Sequence, residues 1–151
     1  MASYAPEGYQ PITPVLAFRD AAGAIEWYTR AFGAAETLHL TAPDGTIAHA
    51  ELQIAGGMIM LAEENPQYNA TPATLGGTSV ILHLYVPDVD AFAQRAVEGG
   101  ARIVVPIADQ FYGERSGRLA DPYGYLWIVA TSKEQVPEEE MQRRFEALTK
   151  P

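Results

Sequence analysis

Residues 20–33 read DAAGAIEWYTRAFG, and this stretch carries the clearest structural signal of the chain. Ile25, Tyr28 and Phe32 follow helical spacing, and Gly33 supplies the usual stop just past a helix end. The pattern predicts one amphipathic helix within this stretch.

A weak copy of the surrounding region lies further along the chain, at an offset of 67 or 68 residues. The recurring pairs are Asp20 and Asp88, Ala24 and Ala91, Ile25 and Phe92, Gly33 and Gly100, Ala34 and Ala101, and Gly57 and Gly124. Such a repeat indicates two copies of one supersecondary unit. Each copy reads as a strand, a helix and three strands, which is too small to close a cavity alone. We therefore expect function in a cavity that the two copies share.

Apolar alternation and turn residues divide the chain into two modules of this kind. Module one covers about residues 11–63, a linker without a periodic apolar pattern covers 64–78, and module two covers about 79–131. A terminal helix with acidic residues in its first turn is expected at about 137–149. The whole chain, 1–151, is predicted to form a single domain of the α+β class.

The composition argues against several classes of protein. The 151 residues are 48% hydrophobic, as in ordinary globular chains, and the absence of cysteine excludes disulfides and thiolate metal sites. A net charge of -9 argues against nucleic acid and anionic membranes as partners, since both need a basic face. The charge is compatible with a cationic ligand, but solubility alone explains it as well. There is no basic leader before an apolar run, and no stretch of about 20 apolar residues, so we expect a cytoplasmic protein.

Two predicted strands carry an aliphatic face and a polar face, because side chains alternate across a strand. The aliphatic faces are Val80, Leu82, Leu84 and Val86 in one strand and Ala48, Ala50, Leu52 and Ile54 in the other. The opposite faces carry His49, Glu51, Gln53, His83 and Tyr85. If the two sheet halves curl together, these five side chains line a cavity. An open sheet leaves them solvated.

The segment 110–115 joins two strands of module two and holds aromatic residues beside a glycine. Phe111 and Tyr112 are suited to stacking on a planar ligand, and Arg115 or Arg118 to meeting a carboxylate or Asp121. Core packing explains Phe111 equally well.

Four segments carry a family resemblance. They are 20–33 (DAAGAIEWYTRAFG), 49–52 (HAEL), 85–92 (YVPDVDAF) and 109–124 (DQFYGERSGRLADPYG). Together and in this order they resemble the vicinal oxygen chelate superfamily, which includes glyoxalase I, bleomycin resistance proteins and extradiol dioxygenases, and the last segment looks most like its PhnB-like branch. The resemblance implies paired βαβββ modules that form a curved mixed sheet around a cleft, commonly in a homodimer.

Enzymes of this superfamily usually hold one divalent metal with His, Gln or Glu side chains from the first and last strands of each module. Such a metal keeps open positions for two substrate oxygens. Counting from the motifs puts Thr13, Leu61, Ile81 and Ile128 at these positions, and none is a competent metal ligand. The resemblance therefore implies no cofactor at the customary site.

A displaced metal site stays open as an alternative. His49, Glu51 and His83 could bind zinc or another borderline cation if their strands approach each other. Otherwise His49 and Glu51 form a polar pair in the cleft, or they contact a ligand.

The preferred interpretation is a homodimer that sequesters a small organic ligand or drug, cationic and aromatic, without a metal. The expected ligand-binding residues are His49, Glu51, Gln53, His83, Tyr85, Phe111, Tyr112 and Arg115. The alternative is an enzyme of the same superfamily, either a metal-dependent lyase, isomerase or dioxygenase with a displaced His/Glu site, or a metal-free acid–base catalyst. A third reading is an interaction module whose cleft binds another protein chain.

Overall fold

A computed structural model describes residues 4–151 and confirms the predicted α+β class. Its strands are β1 (Val15–Phe18), β2 (Ala35–Thr41), β3 (Ile47–Ile54), β4 (Gly57–Glu63), β5 (Ile81–Tyr85), β6 (Arg102–Asp109), β7 (Glu114–Ala120) and β8 (Leu126–Ser132). Its helices are α1 (Ala21–Phe32), α2 (Pro72–Leu75), α3 (Val89–Glu98) and α4 (Glu138–Thr149). The four-residue helix α2 lies in the linker, where the sequence pattern predicts no regular element.

The strands form two four-stranded sheets with the same strand order. The first sheet has the order β1-β4-β3-β2 and the second has β5-β8-β7-β6. The parallel pairs are β1 with β4 and β5 with β8, and all other neighbouring strands are antiparallel. The internal repeat of the sequence therefore corresponds to two mixed βαβββ modules.

The helices α1 and α3 begin in the same way. The Asp20 carboxylate accepts a hydrogen bond from the Gly23 amide at 3.0 Å, and the Asp88 carboxylate accepts one from the Ala91 amide at 3.1 Å. These bonds satisfy amides that have no partner within the helix. Gly33 ends α1 in the left-handed conformation, with φ of 69°, as its position in the sequence predicts.

One hydrophobic core lies between the helices and the helix-facing sides of both sheets. The ring centroid of Phe32 on α1 lies 4.9 Å from that of Phe92 on α3 and 5.1 Å from that of Trp127 on the second sheet. Trp127 is buried on the helix-facing side of the second sheet. Because both sheets share this core, the other face of each sheet is turned away from it. We call that other face the open face.

The buried carboxylate of Asp121 joins the two modules. It accepts hydrogen bonds from the Tyr28 hydroxyl on α1, from Trp127 Nε1 at 2.9 Å, and from the amides of Tyr123 and Tyr125. Burial raises the pKa of Asp121 above its ordinary value, and burial next to this carboxylate raises the pKa of Tyr28 well above its own. Asp121 is thus an acceptor inside the core and not a partner of the arginines on β7.

Tyr125 closes part of the outer edge of β1. Its hydroxyl accepts a hydrogen bond from the Ala17 amide and donates one to the Ala17 carbonyl, both at 2.9 Å. A side chain of module two therefore takes the place of a neighbouring strand for the peptide groups of Ala17.

Candidate functional site

A histidine–glutamate pair lies on the open face of the first sheet. His49 Nε2 lies 2.6 Å from Glu51 Oε2, and the two side chains keep 32% and 15% of their exposure. Ala50 and Leu52 point the other way and are fully buried, as alternation along β3 predicts. Gln53 is exposed at the end of the same polar row. The carboxylate fixes the orientation of the imidazole while leaving the pair accessible to a ligand.

One residue of β3 departs from the predicted alternation. Ala48 is exposed, and Ile47 is buried in its place. Leu40 pairs with His49 and the next residue, Thr41, pairs with Ile47, so Ala48 has no partner on β2. The prediction that Ala48 continues the helix-facing row is wrong, whereas the side of His49 is as predicted.

The second sheet carries a polar cluster of its own on its open face. The Tyr85 hydroxyl donates to Glu114 Oε2 at 2.6 Å, and His83 Nε2 lies 3.8 Å from Glu114 Oε1. The bond to Glu114 raises the pKa of Tyr85 above its ordinary value. Sequence reasoning missed Glu114, because it assigned residues 110–115 to the segment between two strands. With β7 beginning at Glu114, alternation puts this residue on the same face as Arg118.

The two aromatic residues of the β6–β7 loop point in different directions. The Tyr112 hydroxyl lies 3.0 Å from Ser116 Oγ, at the open face. Phe111 instead packs on α4, with its ring 5.6 Å from Phe145, and its carbonyl accepts a hydrogen bond from Arg144. A cavity of about 430 Å³ lies beside Tyr112, bounded by the segment that leads into α4. The structure therefore brings Tyr112 to the polar cluster of the second sheet, and Phe111 to the C-terminal helix.

The arginines of β7 are divided between its two faces. Arg115 lies on the helix-facing side, where its Nε is 2.8 Å from Asp90 Oδ2 on α3 and its Nη1 is 3.3 Å from Asp109 Oδ1. Hydrogen bonds to these two carboxylates raise the pKa of the guanidinium above its ordinary value. Arg118 is exposed on the open face. The structure thus brings Arg118, and not Arg115, to the surface that carries the other predicted ligand-binding residues.

The positions counted for the metal ligands of the superfamily need one correction. Leu61 is fully buried against the helices, so it does not reach the open face. The parallel ladders pair Val15 with Met60 and His83 with Ile128, which makes Met60 the counterpart of Ile128. A thioether and an alkyl group are not ligands for the hard or borderline divalent metals of this superfamily, so the residues present do not fit such a metal at these positions.

The displaced metal set is not assembled within one chain. Across residues 4–151, no three His, Asp or Glu side chains come together in a way that could hold a metal ion. His49 and Glu51 belong to the first sheet, whereas His83 and Glu114 belong to the second. One chain therefore presents two separate polar pairs on two separate open faces.

Both open faces also leave aliphatic side chains uncovered. Val15, Leu38 and Leu40 are exposed on the first sheet, and Ile81 and Val105 are exposed on the second. Monomeric soluble proteins rarely expose contiguous apolar patches beyond a few hundred Å². Each open face thus combines exposed aliphatic side chains with its polar pair.

A family model described as the Glyoxalase/Bleomycin resistance protein/Dioxygenase superfamily matches residues 11–129, and the chain belongs to that superfamily. The chain is 42% identical over 135 residues to the uncharacterized protein Rv0887c of Mycobacterium tuberculosis (strain ATCC 25618 / H37Rv), a match that covers 87% of this chain and 79% of that protein. The fold agrees with the crystal structure of TioX from Micromonospora sp. ML1, with a TM-score of 0.65 and 34% identity over 80% of this chain and 98% of TioX. It also agrees with a PhnB protein from Bacillus cereus, with a TM-score of 0.62 and 21% identity over 82% of this chain and all of that chain (100%), which is a likeness of fold alone.

Over residues 4–151, no helix is both long and apolar enough to cross a membrane.

Proposed function

We propose that the protein is a cytoplasmic homodimer that captures a small planar organic molecule or drug, cationic and aromatic, without a metal and without turnover. The observation that carries this proposal is the pair of open faces. Each combines exposed aliphatic side chains with a few fixed polar groups, which is the usual composition of a small-molecule site. Within residues 4–151, the chain leaves several side chains of each face exposed.

A second copy of the chain supplies the missing cover. In a two-fold dimer, module one of one subunit faces module two of the other, and the symmetry repeats the same contact. Two equal clefts result, each with the His49–Glu51 pair on one wall and the His83, Tyr85 and Glu114 cluster on the other. The apolar side chains of both open faces are then buried, which stabilises the dimer.

The charges on the cleft walls favour a cationic ligand. Glu51 and Glu114 are both largely buried carboxylates, with 15% and 16% of their side chains exposed. Tyr85 and Tyr112 line the same cavity as Glu114, and aromatic rings bind organic cations through cation–π contacts. The net charge of -9 raises the local concentration of such a ligand.

The test uses rhodamine 123, a planar cationic dye, and two variants that each block one wall of the cleft. Glu51→Arg places a long cation on the first sheet, and Ile128→Arg places one on the second. Each variant alone forms dimers with both clefts blocked. After subunit exchange in an equimolar mixture, half of the dimers carry both variants, and each of these has one free cleft, so about a quarter of all clefts regain dye binding.

Fluorescence anisotropy measures the bound dye, sedimentation velocity measures the dimer, and mass spectrometry of the recovered dye measures turnover. Recovery of binding on mixing, with the dye chemically unchanged, supports the proposal. If wild type does not bind the dye, or if the mixture regains nothing although both variants form dimers, the shared cleft is refuted.

The second candidate is a metal-dependent enzyme, favoured by one observation. The Nε2–Oε1 distance of 3.8 Å between His83 and Glu114 adds a second His/Glu pair to that of His49 and Glu51. In a shared cleft the two pairs together would offer the nitrogen and oxygen ligands that suit zinc. Elemental analysis after zinc loading and desalting separates the candidates. Stoichiometric zinc that is lost in both His49→Ala and His83→Ala supports the enzyme, and its absence leaves the capture proposal preferred.

A further inference from the structure

The strand registers align two rows of side chains across the open faces. In the first sheet one row reads Val15, Met60, Glu51 and Leu38. In the second sheet the matching row reads His83, Ile128, Arg118 and Val105. The third positions of the two rows are therefore equivalent. Glu51 places a carboxylate there in module one, and Arg118 places a guanidinium there in module two.

Arg118 lacks an ion pair, as do Arg30, Arg95 and Arg102, whereas several other arginines have one within residues 4–151. The side chains of Arg19, Arg115 and Arg144 each lie within ion-pair distance of an acidic side chain. Arg118 makes no such pair with any carboxylate of residues 4–151, although the chain has 19 acidic residues for 10 basic ones. Its strand neighbours in the row, Ile128 and Val105, are aliphatic and offer no acceptor to its five N–H donors.

We propose that Arg118 binds an anionic group of the ligand, so that the captured molecule is a planar zwitterion with a carboxylate or a similar acid group at one end and an ammonium group at the other. This inference rests on the proposed function, because it places the ligand in the shared cleft. Glu51, held by His49, lies on the facing wall and takes the ammonium end. The guanidinium fork takes the acid group in a bidentate contact, which specifies direction as well as charge.

A matched pair of dyes tests this assignment. Rhodamine 123 is the methyl ester of rhodamine 110. The two dyes share one cationic ring system, and only rhodamine 110 carries a free carboxylate. Arg118→Gln removes the guanidinium, Arg118→Lys keeps a charge but loses the fork, and Arg30→Gln on the exposed side of α1 is a control with the same loss of charge. Fluorescence anisotropy gives the affinity of each variant for each dye.

We expect Arg118→Gln to lower the preference for rhodamine 110 over rhodamine 123 about tenfold, the worth of one hydrogen bond between charged groups. We expect Arg118→Lys to lie between this variant and wild type, and Arg30→Gln to leave the preference unchanged. Retained binding of rhodamine 123 shows that the cleft of Arg118→Gln is folded. An unchanged preference in Arg118→Gln overturns the inference alone. Failure of wild type to bind either dye overturns the proposed function, and this inference with it.

Discussion

Replacing Asp121 by alanine should strand buried hydrogen-bond donors in the core and destabilise the whole chain. Asp121 accepts four hydrogen bonds, two from side chains and two from backbone amides. Tyr28 is 0% exposed and Trp127 is 2% exposed, so water cannot replace the lost acceptor for either side chain. Because Tyr28 belongs to module one and Asp121 to module two, the loss weakens the contact between the modules.

The size of the effect follows from the number of stranded donors. A buried donor left without an acceptor costs about 1–3 kcal/mol, so the two side-chain donors together cost about 2–6 kcal/mol. For about 4 kcal/mol in a chain of 151 residues, the midpoint of thermal unfolding should fall by about 8–16 °C. Urea unfolding followed by tryptophan fluorescence should show a lower midpoint with an unchanged slope.

Tyr28→Phe provides the matched control. In wild type it removes one hydrogen bond to a carboxylate and should cost about 1.5–3 kcal/mol. In the Asp121→Ala background it removes a stranded hydroxyl and should cost nothing or restore stability, so the coupling between the two changes should reach about 1 kcal/mol or more. Additive costs, or a loss below about 1 kcal/mol for Asp121→Ala, would refute the reasoning.

Two further predictions concern pH and packing. Hydrogen bonds from Thr74 and Thr71 lower the pKa of Glu64 from 4.5 to about 2. The ionised Glu64 therefore adds to the free energy of unfolding above pH 4.5, and this contribution is lost as the pH falls toward 2. Glu64→Gln should therefore flatten the loss of unfolding free energy in that window, and an unchanged acid profile would contradict the assignment. Gly117→Ala would put a Cβ 2.6 Å from a carbonyl oxygen of β6 and should lower the free energy of unfolding by about 1–3 kcal/mol. The control is Gly57→Ala, whose Cβ would meet its nearest atom at 3.6 Å and should lower it much less in the same urea assay.

The helices and the polar faces were predictable because they depend on local signals. Asp20 and Asp88 mark the helix starts through their capping bonds, which are formed within three residues of the chain. Alternation alone placed His49 and Glu51 on one side of β3, and their contact at 2.6 Å follows from that side. These features need no knowledge of how the modules pack.

Features that depend on strand register could not be read in the same way. Gly57 and Gly124 align at an offset of 67 residues, but β4 begins at Gly57 whereas β8 begins two residues after Gly124. The turn before β8 is thus longer, and counting from the two glycines selects Leu61 where the ladder selects Met60. A shift of one residue in strand register is enough to move a side chain to the opposite face of a sheet.

The β7 residues show the same limit. Assigning residues 110–115 to a loop hides Glu114, and it also hides the alternation that puts Arg115 on the side opposite Arg118. The structure shows Arg115 on that side, bonded to Asp90 and Asp109. Whether an arginine finds a carboxylate on a neighbouring helix depends on tertiary packing, which the sequence pattern does not contain.

The hydroxyl of Tyr125 has a consequence for how the chain avoids aggregation. A strand at the edge of a sheet is a template onto which a strand of another molecule can add, and amyloid grows by such addition. The hydroxyl occupies both peptide groups of Ala17 on the outer edge of β1, so a foreign strand finds no donor or acceptor there. The capped peptide groups of Ala17 therefore block the continued addition of strands at this point of the edge.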